Sequence, residues 1–408
     1  MGHQSLRPLE CALRDMLASL TPLDGQEIVP LADSLGRVLA SAIISPMAVP
    51  PFDNSAMDGY ALRAADLQHR STLTLQGRAL AGHPLQDGDA CQSGQCVRIM
   101  TGAALPAGAD CVIMQEETEV NGDEVTFTKP ARLGQNVRRR GEDIEEGAEV
   151  LPAGLRLTAR ELPLLASLGI AEVAVRRRPR VALLSTGDEL KMVGEPLAHG
   201  EIYDSNRYGV RAMLERLGIE LLDLGIIPDD PAALRHAFLH ASEQADALIT
   251  SGGVSVGDAD YTKQLLEEQG EIGFWKLAIK PGKPFAFGRL GKAWFFGLPG
   301  NPVSAMVTFD QLVRPALATL AGETLKAPLR LSATAATALK KAPGRLDFQR
   351  GIVENTASGL VVRSTGSQDS GVFSSLSKAN CYIVLEQDRG RVEAGETVTV
   401  ELFGSMLL

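Results

Sequence analysis

The stretch Pro51-Phe-Asp-Asn-Ser-Ala-Met-Asp-Gly-Tyr60 sets two carboxylates, Asp53 and Asp58, beside an amide and a hydroxyl, with almost no apolar periodicity. Asn54-Ser55 and Asp58-Gly59 are turn formers, because short polar side chains bond the local backbone and glycine accepts positive φ. A loop that needed only solubility would not also carry Phe52, Met57 and Tyr60. Two readings fit: an ordered loop tucked onto a neighbouring domain, or a carboxylate-bearing ligand loop. Further polar and glycine-rich loops downstream favour the second.

Three of those loops follow apolar strand-like runs. Ser185-Thr-Gly-Asp-Glu189 offers hydroxyls, a close backbone approach and two acids. Ser251-Gly252-Gly253-Val-Ser-Val-Gly257 has glycines whose N–H groups can wrap an anion, with Asp258, Asp260 and Thr262 just beyond. Gly297-Leu-Pro299-Gly-Asn301-Pro302 pairs an N-cap residue with proline at the next position, the signature of a helix start. A glycine after a strand often does no more than tighten a turn, but three such loops together point to an anion or phosphate site. Lys276, Lys280 and Lys283 stand close in sequence to the third loop. They read either as a solvated strand edge or as cations for an oxyanion. Asp58, Asp143, Glu189, Asp229 and Asp260 supply hard oxygen ligands of the kind Mg2+ takes, together with substrate phosphate. His236 and His240 stand four apart on a helical stretch and read as a solvated face rather than a ligand pair.

The elements that must position these residues divide the chain by regime. Leu9, Leu13, Met16, Leu17 and Leu20 recur at helical spacing, which predicts an amphipathic helix over 6–20. Residues 46–135 break into short runs with a hairpin signal at Asn121-Gly122, so a β-rich module is expected. A helix is expected near Thr158–Leu168, closed by Gly169. From Val181 strands alternate with helices capped by Asp204 and Asp230, which implies a doubly wound, mostly parallel α/β sheet. Beyond about residue 328 helical patterning stops and a terminal β-domain is expected. The fold class is therefore multidomain α/β plus β.

Composition excludes several functions. A net charge of −10 argues against a nucleic-acid binder. Five scattered cysteines without a C-x-x-C pair read as free thiols in a reducing compartment. No apolar run is long enough for a membrane span, and no basic stretch precedes an apolar run at the N-terminus, so a cytoplasmic protein is expected. Walker-A, G-x-G-x-x-G and H-E-x-x-H patterns are absent, which removes P-loop, dinucleotide and zincin readings.

Taken together, Phe52–Tyr60, Met100-Thr-Gly-Ala103, Gly141-Glu-Asp143, Ser185–Leu190, Ser251–Gly257, Lys280-Pro-Gly-Lys-Pro284 and Leu298-Pro-Gly-Asn-Pro302 resemble the MoeA family of molybdopterin molybdenumtransferases, related to the C-terminal domain of gephyrin. The resemblance runs in order over essentially the entire chain. It implies a discontinuous linking domain (1–45 and 136–178), a β-module (46–135), an α/β molybdopterin-binding domain (179–327) and a C-terminal β-domain (328–408). It also implies a homodimer whose active site is shared between subunits. The reaction it implies uses molybdate and adenylylated molybdopterin, depends on Mg2+ and releases AMP. By motif position the functional residues are Asp58, Thr101, Asp143, Glu189, Asp229, Asp260, Lys276, Lys280, Pro299 and Pro302. Asp58, Glu189 and Asp260 would hold Mg2+ or orient water. Ser251, Gly252, Gly253 and the lysines would bind anions, and the prolines would shape their loop. Other molybdenum-cofactor enzymes are the implied partners. Two other readings stand beside this one: molybdopterin adenylylation by a similar α/β domain, and a gephyrin-type scaffold.

Overall fold

The computed structural model describes residues 6–85, 90–252, 268 and 270–404. Helix α1 (Leu9–Ser19) forms where the apolar spacing predicts it and buries Leu9, Ala12 and Met16. These residues pack into the core of the α/β sheet. In the linking region, Gln26–Pro30 pairs antiparallel with Glu172–Arg176, and Ile43–Ile44 pairs with Glu149–Leu151. Segments on either side of the β-module are therefore stitched together, and Leu39, Leu157, Leu165 and Val173 fill the space between them. Helix α2 (Glu161–Ser167) is closed by Gly169 at φ 70°.

The β-module is a six-stranded sheet with buried apolar residues on both faces. Thr118–Asn121 and Glu124–Phe127 form the hairpin that Asn121-Gly122 predicts. Strand Gly59–Leu62 lies inside the sheet, between Gln95–Ile99 and Cys111–Met114, so the 51–60 loop enters directly from a buried strand.

The α/β sheet contains β1 (Arg180–Thr186), β2 (Glu220–Ile227), β3 (Ala247–Ser251), β4 (Gly270–Lys276), β5 (Pro284–Leu290) and β6 (Ala293–Leu298), in the order β2-β1-β3-β6-β5-β4. The first four in that order are parallel, while β5 runs antiparallel to both β6 and the edge strand β4. Parallel pairing needs a long crossover. Only Gly291 and Lys292 separate β5 from β6, which forces a hairpin there. Helix α3 (Ser205–Arg216) covers one face beside α1, and α4 (Pro231–Gln244) covers the other through Leu234, Phe238 and Ala241. Asp204 and Asp230 cap these helices as their sequence positions suggest. Helices α5 (Pro302–Thr308) and α6 (Arg314–Leu320) are joined by a π-turn at Phe309–Val313. Pro315 has no N–H to continue the α-helical ladder, and the wider turn absorbs that gap.

The C-terminal region is a six-stranded sheet, with one short helix at Ser374–Ser377. Its edge strand, Ile279–Lys280, comes from the α/β region and pairs parallel with Leu346–Asp347. Phe348, Tyr382 and Phe403 continue the α/β core into this sheet. Lys280 is thus held by two regions at once. No helix among the described residues is long and apolar enough to cross a membrane.

Candidate functional site

Three groups of the sequence candidates are brought together. The first is on the β-module. The Thr101 N–H and hydroxyl both donate to Asp58 Oδ1 at 2.7 Å, leaving Oδ2 without a partner among the described residues. These two bonds, the backbone one first, hold Asp58 below the usual carboxylate range, with the Arg98 charge adding to the effect. Arg98 is braced by donating to the Gly59 carbonyl and to Gln115 Oε1. Met57, Asp58, Thr101, Met114, Gln115 and Glu116 line a groove of about 450 Å³. A larger hollow of about 610 Å³ elsewhere on the module carries none of the candidates, and its Lys129 is paired with Glu117 at 2.6 Å.

The rest of the 51–60 loop is anchored on its own chain. Asp53 accepts from the Arg140 N–H at 2.8 Å and pairs with Arg139 at 2.7 Å, while Asn54–Ser55 pairs with Val137–Arg138. Phe52 and Met57 remain exposed. Asp143 is exposed nearby, its N–H bound to the Val49 carbonyl at 3.0 Å.

The second group sits at the carboxyl ends of β1, β2 and β3, where an open α/β sheet takes its ligand. Asp188 Oδ1 accepts the Asp229 N–H at 3.1 Å, joining the loops after β1 and β2. Burial of its carboxyl, then the charges of Asp188 and Glu189, push Asp229 above the usual range, although the residue as a whole is exposed. Gly187 has φ 143°, and a Cβ there would lie 2.6 Å from Glu189 Oε2, so only glycine lets this acid fold back over the loop. Gly252 has φ 91° and packs so closely that a Cβ would meet the Thr186 carbonyl at 2.8 Å. Ser251 accepts from Asn206, a residue the motif reading leaves out. Asn301 occupies the N-cap position of α5 but makes no side-chain cap bond; Pro299 is buried and Pro302 opens the helix. Gly253 and Asp260 lie outside the described residues.

The third group gathers around the strand Ile279–Lys280. Lys280 Nζ lies 3.8 Å from Asp347 Oδ2, a carboxylate only 2% exposed whose Oδ1 has no partner. Lys341 is lowered by burial and by the charges of Lys280 and Arg345, against the pull of Asp347. Three residues along the strand from Asp347, Arg350 is fully buried. Its Nε donates to Ser375 Oγ at 3.0 Å and its Nη2 to the Asp369 carbonyl at 3.0 Å, and no carboxylate among the described residues lies within ion-pair distance. A buried guanidinium without a carboxylate suits an oxyanion. Sequence reasoning passed over Arg350, whose only signal was a charge inside the strand Leu346–Thr356. Lys276 is exposed at the end of β4, apart from this cluster in hydrogen bonding.

No hydrogen bond or ion pair among the described residues links the Asp58 groove to the loops of the α/β sheet. Nor do three acid, histidine or cysteine side chains among the described residues converge as a metal cage.

Family models match in chain order: "MoeA N-terminal region (domain I and II)" over 7–169, "Probable molybdopterin binding domain" over 182–319 and "MoeA C-terminal region (domain IV)" over 332–403. The chain belongs to the MoeA family. It is 54% identical to a molybdopterin molybdenumtransferase of Haemophilus influenzae over 98% of this chain and 99% of that one. A gephyrin of Dictyostelium discoideum is 33% identical over 98% of this chain but only 62% of its own length. The molybdopterin biosynthesis MoeA protein of Pyrococcus horikoshii superposes with a TM-score of 0.85 at 30% identity, covering 98% of this chain and 100% of that one. All three groups of MoeA-type loops described above fall within these matches.

Proposed function

We propose that this MoeA-family chain is a molybdopterin molybdenumtransferase of molybdenum-cofactor biosynthesis, which inserts molybdenum from molybdate into adenylylated molybdopterin and releases AMP. The observation that carries this reading is the match to the H. influenzae molybdenumtransferase along the full length of both chains. The gephyrin relative is matched at 33% identity, below the 54% of the molybdenumtransferase, which favours the enzyme over a scaffold of gephyrin type. A lone adenylyltransferase domain would leave the β-module and the C-terminal sheet without a task.

Each group of residues then has a role. Asp58, kept ionised by Thr101, orients water or a cation at the phosphoanhydride. Ser251, Gly252 and their neighbour Gly253 receive anionic oxygens of the pterin, and Pro299 and Pro302 shape the adjoining loop. Lys280 and Arg350 supply the positive charge that molybdate needs, with Lys276 at the sheet edge as a further cation. Asp143 lies near the Asp58 loop and orders its approach.

The donor set at the second group fits Mg2+: Glu189 and Asp229 offer hard oxygens whose mutual repulsion a cation would relieve. Asp58 and Asp260 complete the set of acids the family resemblance offers for the metal. Bound there, Mg2+ would neutralise phosphate charge, water and substrate supplying its other ligands. The separation of the Asp58 groove from the α/β loops favours a homodimer with the active site shared between subunits. Sedimentation of an active monomer would overturn the shared site.

The deciding experiment incubates purified protein with adenylylated molybdopterin, with and without molybdate and Mg2+. AMP release that requires both is expected. Binding without AMP release would favour a scaffold, and formation of adenylylated molybdopterin from ATP would favour the adenylyltransferase reading.

A further inference from the structure

Asn206 is the second residue of α3, where asparagine is a poor choice for the helix itself. The helix does not need it as a cap, because the Asp204 side chain accepts the Arg207 N–H at 3.3 Å. Nor does it need it as an anchor. The buried Arg207 guanidinium binds Asp204 at 2.9 Å and both carboxylate oxygens of Asp223 at 2.7 and 2.8 Å, tying α3 to β2. Asn206 reaches across instead. Its Nδ2 donates to Ser251 Oγ at 2.9 Å and to the Gly300 carbonyl at 2.8 Å. A carbonyl can only accept, so the orientation of the amide is settled by chemistry.

The two acceptors stand at the ends of neighbouring parallel strands, Ser251 closing β3 and Gly300 following β6. One NH2 group therefore sets the distance between two ligand loops. The effect at Ser251 is directional. Its oxygen receives an Asn206 proton, and no described acceptor takes the hydroxyl's own proton, which is left for a ligand oxygen. At Gly300 the carbonyl is turned toward α3. The peptide to Asn301 is trans, so the Asn301 N–H points the opposite way.

We propose that Asn206 is a positioning residue for the substrate anion: it holds Ser251 as a hydroxyl donor and turns the Gly300 carbonyl away from the ligand, fixing the spacing of the two loops. This rests on the reading of those loops as the pterin-anion site. Asn206 touches no reacting atom and acts through Ser251 and the Gly300 peptide.

The test uses the full chain, with anaerobic molybdopterin binding, AMP release and thermal unfolding measured side by side. Asn206→Ala is expected to weaken molybdopterin binding about tenfold, the scale of one lost hydrogen bond to a charged group. Asn206→Asp is expected to bind still more weakly, because its carboxylate captures the Ser251 proton and repels the Gly300 carbonyl. Yet Asp should be at least as thermally stable as Ala, since an acid is favoured in the first helical turn. That opposite order in binding and stability is the signature a purely structural residue would not give. In a Ser251→Ala background, Asn206→Ala should lose most of its effect, because contacting residues are not additive. Wild-type affinity in Asn206→Ala, additive losses, or binding that simply tracks stability would each overturn the proposal. A wild-type protein that binds molybdopterin with the expected variant order but releases no AMP would overturn the activity reading alone. Failure of the wild type to bind molybdopterin would overturn both.

Discussion

Asp58 and Asp229 are both loop acids, and the fold shifts their carboxyls in opposite directions. Asp58 has two donors on one oxygen and the Arg98 charge nearby, and together they hold it below the usual carboxylate range. Asp229 is pushed up by burial of its carboxyl and by the charges of Asp188 and Glu189, which outweigh the one backbone donor it has at Asp188. The difference lies in what surrounds each carboxylate, since the residue type is the same. A solvated acid with its own donors stays ionised and can orient water or a cation. A crowded acid with acid neighbours is ready for a cation. The β-module thus carries a finished carboxylate, while the α/β loops carry one whose charge balance is incomplete.

The largest effect that tests this contrast is expected at Asp58. Asp58→Asn keeps the shape and an acceptor for Thr101, so thermal unfolding should barely change. AMP release should fall by about 10²-fold or more, the scale of a lost acid–base group. Near-normal release from the folded variant would make Asp58 a loop anchor and dissolve the contrast.

Next comes Lys280→Ala, which probes the cationic group. The concentration of molybdate needed for half-maximal rate should rise about tenfold, as expected for one lost contact to an anion. Stability should fall by no more than about 1 kcal/mol, because Lys280 is 43% exposed. That loss arises from Asp347, left buried with less compensation. Adding Asp347→Asn should therefore restore the melting temperature and leave molybdate use impaired. Failure of raised molybdate to recover any rate would remove Lys280 from the anion site.

Thr101→Val deletes the hydroxyl donor and spares the backbone one. Asp58 then moves back up toward the ordinary carboxylate value, and the acid limb of the rate–pH profile should shift to higher pH. An unmoved limb would mean that Asp58 ionisation does not control turnover. The smallest effect belongs to Asp229. Its folded value lies above its unfolded one, so the folded state binds the proton more tightly and stability declines as pH rises from the ordinary aspartate value through the raised one. Asp229→Asn removes that decline, and its melting temperature should exceed the wild type's at neutral pH by a margin that narrows on acidification. A constant difference across pH would show that Asp229 titrates alike in both states.

The elements that carry the site were largely legible because their signals are local. Apolar spacing marked α1, and Asp204 and Asp230 marked the starts of α3 and α4. Asn121-Gly122 marked the hairpin of the β-module. Where signals were not local, the sequence left the arrangement open. The antiparallel edge of the α/β sheet followed from the short link between β5 and β6, while each strand taken singly looked like its parallel neighbours. α1 carries a helical stripe, but no stripe names the surface it will cover.

The sequence alone determined which residues could do chemistry, since motif composition and glycine placement depend on side-chain type and φ. It also determined the family, because the motifs run in order along the chain. Only the tertiary structure decided that Asp58 is shifted down and Asp229 up, that Lys280 belongs to a strand of the C-terminal sheet, and that Asn206 spans two loops. Those are contacts between residues far apart in sequence, set by strand order and packing, and no local pattern encodes the partner.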